Sequence, residues 1–239
     1  YPFPEDGFKI VQSPHPMEHQ SCVAVGKYLN DQLILHESAH EWWGNSVSIN
    51  DNADIWINEA FATYAESLYI EETLGYDFGQ EYLNARKSDI YNDHPLVGVE
   101  NVNHFHYRIE DKYFKGALML NTLRHLVEND SKWFSALKGI QNDFKHSFID
   151  TQTLIKYINE KLGKDYSLFF DQYLRSVNIP ILEIKSSKNG VVYRLMNVFG
   201  DFTLPLKANQ LELETESKWK PISKISEDQL KQLQSKYLI

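Results

Sequence analysis

The chain has 239 residues, 42% of them hydrophobic, and a mean hydropathy of −0.46, values that predict a soluble globular protein with one large domain or two modest ones. Its net charge of −9, with Lys and Arg scattered along the chain, argues against a nucleic-acid-binding surface. No run of about eighteen apolar residues occurs, which argues against a membrane-spanning helix, and the single cysteine, Cys22, excludes an internal disulfide.

The chain opens with Tyr1-Pro2-Phe3-Pro4, without a methionine and without a signal-like segment. We therefore expect it to be a piece of a longer protein, and its cellular compartment stays open. Residues 1–35 combine prolines with short apolar pieces, which predicts loops and edge strands. One of these strands is expected over Ser21 to Val25.

Helical patterns dominate the middle of the chain. Two of them carry the chemistry discussed below: Gln32 to Trp43, which ends at Gly44, and Ile55 to Thr73, which ends before Gly75. Five further amphipathic helices are predicted at Phe78–Asn92, Tyr113–Glu128, Lys132–Lys145, Thr151–Leu162 and Tyr166–Ser176.

The pattern changes at Pro180, after which short alternating runs predict strands. These runs are Ile181–Ile184, Val191–Leu195, Phe202–Leu206 and Leu211–Glu214. The pair Asn189-Gly190 between the first two is a hairpin signal. We predict a mainly helical domain at residues 1–178 and a small β-rich domain at residues 179–239 that supplies no catalytic group.

The segment His36-Glu37-Ser38-Ala39-His40 lies on the first of the two central helices. Residues four apart are about 40° from one another around a helix axis, so both imidazoles can reach one metal ion. Glu37 lies about 100° from His36, close to such a metal but free to act as a base. The alternative is an amphipathic helix that carries two histidines by chance.

Glu59 follows His40 by nineteen positions, within an apolar, helix-compatible run. Two histidines and a carboxylate leave a fourth zinc position open for water, which is typical of a catalytic zinc site. Glu66 follows Glu59 by seven positions and shares its helix face within about 20°. It is predicted either to orient a zinc-bound histidine or to be a solvated surface residue.

Three segments occur together in this order: His15-Pro16-Met17-Glu18-His19, then His36 to Asn45 with Glu59, and then Tyr113-Phe114-Lys115-Gly116-Ala117. They resemble the exopeptidase motif Gly-x-Met-Glu-Asn, the zinc signature and the Tyr-x-Lys-Gly-Ala segment of the M1 aminopeptidase family. The resemblance covers roughly residues 1–177, although His15 and His19 replace the Gly and the Asn of the first motif.

The resemblance implies an α+β fold with a thermolysin-like, mainly helical peptidase domain. It implies one Zn²⁺ per chain, held by His36, His40 and Glu59, with Glu37 as general base. It assigns Tyr113 as hydrogen-bond donor to the developing oxyanion and Glu18 as anchor of a peptide's free amino terminus. On spacing alone, Tyr113 is an ordinary aromatic at a helix start and Glu18 a surface glutamate. The family also has an N-terminal β domain, which we expect to belong to the parent protein and to be missing from this piece.

The predicted function is therefore hydrolysis of the amino-terminal peptide bond of a peptide by a zinc-activated water. Two alternatives stay within the enzymes: an endopeptidase of the gluzincin type and an epoxide hydrolase. A third alternative is a peptide-binding module that retains zinc but is catalytically weak.

Overall fold

The structure is a computed structural model that describes residues 1–27, 30–104, 110–188 and 190–239. Eight α-helices lie in these residues: α1 (Asp31–Ala39), α2 (Trp56–Leu74), α3 (Tyr76–Ala85), α4 (Asp111–Val127), α5 (Asp130–Asp143), α6 (Thr151–Leu162), α7 (Ser167–Leu174) and α8 (Glu227–Lys236). Short 3₁₀ turns occupy Asn52–Asp54 and Arg86–Asp89. Within the described residues, no helix is long and apolar enough to cross a membrane.

Nine short strands pair into four small sheets in the same part of the chain. They are β1 (Lys9–Gln12), β2 (Cys22–Val25), β3 (Val47–Ile49), β4 (Ser147–Ile149), β5 (Ile181–Ser187), β6 (Gly190–Met196), β7 (Pro205–Ala208), β8 (Leu211–Glu214) and β9 (Lys220–Ile222). The pairs β1–β2 and β3–β4 are parallel, whereas β5–β6–β9 and β7–β8 are antiparallel. Helices and strands together give the predicted α+β class.

The two longest helices, α2 and α4, pack against each other at the centre of the molecule. Gly116 on α4 faces Ala60 on α2, and a Cβ atom on Gly116 would lie 2.5 Å from the Cβ atom of Ala60. Carbon atoms do not approach so closely without displacement, so glycine sets the spacing of these helices. Around them runs one hydrophobic core that extends from Trp43 to Leu238.

Local sequence signals explain several helix ends. The side chain of Asn30 accepts a hydrogen bond from the backbone N–H of Gln32 and caps the start of α1. Gly75 ends α2 with a φ of 115°, in the region that favours glycine. Gly163 ends α6 in the left-handed conformation with a φ of 64°. The bounds predicted for α6 are therefore confirmed.

The first predicted helix is shorter than expected. The helix predicted to reach Trp43 ends at Ala39, because the backbone N–H groups of Glu41 and Trp42 donate only three residues back, and bonds five residues back follow from Asn45. Asn45 donates to the carbonyl of His40 at 2.9 Å, and Ser46 donates to that of Glu41 at 3.1 Å. Such i→i−5 bonds widen the turn beyond an α-helix.

Other predicted bounds also need correction. The helix expected over Phe78–Asn92 is α3 followed by the 3₁₀ turn Arg86–Asp89, and the strand expected at Phe202–Leu206 is β7. The final helix, α8, was not predicted at all. Asn189 of the hairpin signal lies outside the described residues, while Ser187 and Gly190 on either side pair in the β5–β6 register. The division at residue 178 stays a prediction.

Candidate active site

Three side chains from α1, α2 and the turn after α1 converge on one point. Nε2 of His36 lies 3.1 Å from Nε2 of His40. Oε2 of Glu59 lies 3.4 Å from Nε2 of His36 and 3.5 Å from Nε2 of His40. Ligands about 2.0–2.2 Å from a tetrahedral zinc lie about 3.3–3.6 Å from one another. Both distances to Glu59 lie in this range and the separation of the two nitrogens is slightly shorter, so the triangle is close in size to a zinc site and has the donor types that zinc requires.

Both imidazoles are oriented by hydrogen bonds at their other nitrogen. Nδ1 of His40 lies 2.8 Å from the carbonyl oxygen of Trp43, and Nδ1 of His36 lies 2.7 Å from Oε1 of Glu66. A carbonyl and a carboxylate accept hydrogen bonds, so each Nδ1 carries the hydrogen in the neutral ring. Each Nε2 then presents its lone pair to the shared point, as a metal ligand must.

The carboxylates around this point favour a bound cation. Burial lowers the pKa of His36, but its hydrogen bonds to Glu59 and Glu66 outweigh burial and raise that pKa to about 10. Burial raises the pKa of Glu59, yet its bonds with His36 and His40, together with the charge of Lys112, bring it well below its ordinary value. Without a metal the site attracts a proton, and a divalent cation satisfies the same demand.

Glu37 and Glu18 lie beside the triangle. Glu37 is only 7% exposed, and burial raises its pKa while the neighbouring histidines oppose the shift. Ligand atoms of Glu18, Glu37 and His40 all lie within 4.8 Å of one another. The backbone carbonyl of Glu18 accepts a hydrogen bond from Nδ2 of Asn45 at 2.9 Å, which ties its segment to the turn after α1. Glu18 therefore lies in the site.

Tyr113, on the first turn of α4, completes this group. Its hydroxyl donates to Oε1 of Glu59 at 3.1 Å, and its ring centroid lies 5.6 Å from that of His36. Burial, followed by the charge of Glu59, raises the pKa of Tyr113 well above its ordinary value. The phenol therefore stays protonated at neutral pH and remains a hydrogen-bond donor.

The profile of the Peptidase family M1 domain matches residues 17–173, which include all of these side chains. The chain belongs to peptidase family M1. Aminopeptidase N of Streptomyces lividans is 28% identical over an alignment of 175 residues that covers 66% of this M1 chain and 20% of that protein. Aminopeptidase N of Rattus norvegicus is 26% identical over 193 residues, covering 68% of this chain and 19% of that protein.

Solved structures of M1 proteins share the fold. A mutant of the M1 zinc metallopeptidase from Deinococcus radiodurans, bound to a Tyr-Ser-Ala substrate, has a TM-score of 0.60 and 26% identity, and the match covers 70% of this chain and 39% of that chain. Another structure of the M1 zinc metallopeptidase from this organism has a TM-score of 0.55 and 27% identity. That match covers 65% of this chain and 36% of the solved chain. This M1 chain spans about a fifth of the length of the curated relatives it matches.

Two contacts of this M1 site were not predicted from the sequence. The hydroxyl of Tyr82, on α3, donates to Oε2 of Glu66. Nζ of Lys112 lies 3.4 Å from Oε1 of Glu59, and Lys112 is only 5% exposed. Both contacts join different helices, so no spacing along one helix signals them.

A cavity of about 440 Å³ opens beside Glu37 and Tyr113. Leu33 and Phe114 give it apolar walls, and Thr63 also lines it. The Thr63 hydroxyl is buried and has no hydrogen-bond partner among the described residues. The volume lies in the range of ligand-binding pockets.

The contact between Glu66 and His36 leads to a first prediction. A Glu66→Gln variant is expected to bind zinc roughly ten- to a hundredfold more weakly, because an amide holds the His36 ring less firmly and makes it a weaker ligand. Competition with a chelator measures this affinity. Glu72→Gln changes an exposed glutamate on the same helix and serves as the matched control. Equal zinc affinity in both variants would contradict an orienting role for Glu66.

Proposed function

We propose that this chain is the catalytic part of a zinc aminopeptidase that hydrolyses the amino-terminal peptide bond of peptides. The observation that carries the proposal is the position of Glu18, whose carboxylate lies within 4.8 Å of ligand atoms of both Glu37 and His40. A carboxylate beside the metal-binding triangle suits the ammonium group of a peptide's first residue. Cleavage inside a chain requires no such group.

The metal is proposed to be one Zn²⁺ per chain, held by His36, His40 and Glu59. A bound zinc ion lowers the pKa of its water towards 7 and polarises a carbonyl. Glu37 takes a proton from the attacking water and returns it to the leaving amine. Tyr113 donates a hydrogen bond to the oxygen of the attacked carbonyl, where negative charge develops.

Glu18 determines the register of the substrate in this scheme. When its carboxylate binds the free ammonium group, the first peptide bond is placed over the metal. The Deinococcus radiodurans relative, whose structure contains a Tyr-Ser-Ala substrate, supports short peptides as the substrate class. Because the chain spans only about a fifth of its curated relatives, the activity is proposed for the whole protein.

We also propose a thermolysin-like arrangement of the helical part, residues 1–178, followed by a small β-rich domain at residues 179–239. Four of the nine described strands precede Pro180 and five follow it, and those five pair only with one another. The segment that follows α8 contacts the first part, because the backbone N–H of Leu238 donates to the Thr122 hydroxyl at 2.9 Å. The second domain would thus support the first without entering the site.

The test compares a peptide with its N-acetylated form, using the zinc-loaded whole protein that contains this chain. Hydrogen bonds to charged groups contribute about 1.5–3 kcal/mol, which corresponds to a roughly ten- to a hundredfold preference for the free amine. Glu18→Ala is expected to lose this preference, whereas Glu5→Ala, an exposed glutamate of the same N-terminal segment, is expected to keep it. The ratio of the initial cleavage rates of the free and the acetylated peptide measures this preference in each variant.

Other outcomes separate the alternatives. Equal cleavage of the free and acetylated peptides by the unmodified chain would favour an endopeptidase. Zinc bound at one ion per chain without turnover of any peptide would favour a binding module. Metal analysis that finds no zinc in protein prepared without chelators would overturn the proposal.

A further inference from the structure

The two oxygens of Glu59 face different partners. Oε2 points towards the imidazoles of His36 and His40, at 3.4 and 3.5 Å. Oε1 points away from them, towards the hydroxyl of Tyr113 at 3.1 Å and Nζ of Lys112 at 3.4 Å. One oxygen of this carboxylate is therefore directed at the metal point and the other is engaged elsewhere.

This division matters because a carboxylate can bind a metal through one oxygen or through both. With two histidines and a water as the other ligands, a carboxylate bound through both oxygens would fill the fifth position, into which a catalytic zinc can expand in the transition state. A group that engages Oε1 strongly and permanently would keep that position free. Among the residues that the structure describes, Tyr113 and Lys112 contact Oε1.

The single hydroxyl hydrogen of Tyr113 cannot be donated to Oε1 of Glu59 and to a substrate oxygen at the same time. In the proposed reaction its hydroxyl donates to the oxygen of the attacked carbonyl, and it then leaves Oε1. The ammonium group of Lys112 remains, with the side chain 93% buried on the same helical turn. Nζ also lies 5.1 Å from the centre of the Tyr113 ring, a favourable position for a cation. Its charge keeps one oxygen of Glu59 paired throughout.

We propose that Lys112 is a positioning residue that holds Oε1 of Glu59 away from the metal, so that Glu59 binds zinc through Oε2 alone. The inference rests on the proposed zinc function. It adds a requirement that the zinc signature does not contain: a buried cation on α4, facing the outer oxygen of the carboxylate ligand. The first turn of α4 thereby contributes both the oxyanion donor and the residue that keeps the fifth position of the zinc free.

The experiment reads the metal coordination directly. The chain is loaded with zinc for X-ray absorption spectroscopy, and with cobalt for visible spectroscopy, whose absorption weakens when coordination rises from four to five. The unmodified chain is expected to show four-coordinate metal with one short bond to Glu59. Lys112→Met is expected to show five-coordinate metal, with kcat lower by roughly ten- to a hundredfold and no loss of zinc affinity.

Two further variants serve as controls. Lys112→Arg keeps the positive charge and should retain four-coordinate metal. Lys138→Met removes an exposed lysine on α5 and should change neither spectrum nor kcat. Circular dichroism and the melting temperature report whether each variant folds. A merely structural role of Lys112 would lower the melting temperature without changing the coordination number.

Several results would overturn the inference. One is a folded Lys112→Met variant with the spectrum of the unmodified chain, and another is Glu59 bound through both oxygens in the unmodified chain, which needs no variant to observe. In both cases zinc binding and peptide hydrolysis by the unmodified chain would leave the proposed function standing. An unmodified chain that binds no zinc would instead remove the proposed function itself.

Discussion

A Glu37→Gln variant is expected to retain its zinc and to lose turnover by at least about a hundredfold. The amide preserves the size and shape of the side chain but accepts no proton. Glu37 is 7% exposed and lies within 4.8 Å of ligand atoms of Glu18 and His40. Burial raises its pKa, which makes its carboxylate a stronger base than an exposed glutamate. The value of kcat on a short peptide measures the loss.

Zinc content and peptide affinity serve as internal controls for this variant. Both should be close to those of the unmodified chain, because Glu37 is not among the three proposed ligands. Glu81→Gln, an exposed position on α3, should leave kcat unchanged. Turnover that survives in Glu37→Gln would refute the role of general base, while lost zinc would place Glu37 among the ligands.

Removing the hydroxyl of Tyr113 is expected to lower kcat by roughly a hundred- to a thousandfold, the range found when one oxyanion donor is removed. Tyr113→Phe keeps the ring that lies beside His36 and takes away only the donor. The phenol is aimed at the site, because it already donates to Oε1 of Glu59 at 3.1 Å. The Michaelis constant should change little, since the interaction strengthens in the transition state.

Tyr91→Phe provides the matched control, because the Tyr91 side chain is 71% exposed. Its kcat should equal that of the unmodified chain. An unchanged kcat in Tyr113→Phe would leave this tyrosine as an ordinary aromatic residue at the start of α4. A fall in zinc content would instead indicate that its bond to Glu59 supports the metal ligands.

The helical period accounts for most of what the sequence predicts at this site. His36 and His40 are four residues apart, and Glu66 follows Glu59 by seven, so relations within one helix place each pair on one face. Lys112 and Tyr82 reach the site only because α4 and α3 pack on α2, and no spacing within one helix encodes that packing. Glu18 was predicted from a motif rather than from physical reasoning.

The same distinction applies to the fold. Strong apolar stripes predicted α5, α6 and α7, whereas α8 was missed because Leu233 is its only buried residue and a helix without an apolar stripe gives little pattern to detect. The early end of α1 arises because the N–H groups of Glu41 and Trp42 donate three residues back. The turn after α1 is held by backbone hydrogen bonds that join Trp42 and Gly44 to Val47 of β3. Helix propensity does not reveal such bonds.

The contact between Gly116 and Ala60 has a consequence for sequence variation in this protein. Glu59 and Lys112 stand on helices whose separation is limited by a hydrogen atom at residue 116, since a methyl group there would come within 2.5 Å of Ala60. Gly116→Ala would push α4 outwards and carry Tyr113 and Lys112 away from Glu59. A natural variant with alanine at this position would keep every polar residue named above and still be inactive. The presence of the polar site residues alone is therefore not enough to predict activity.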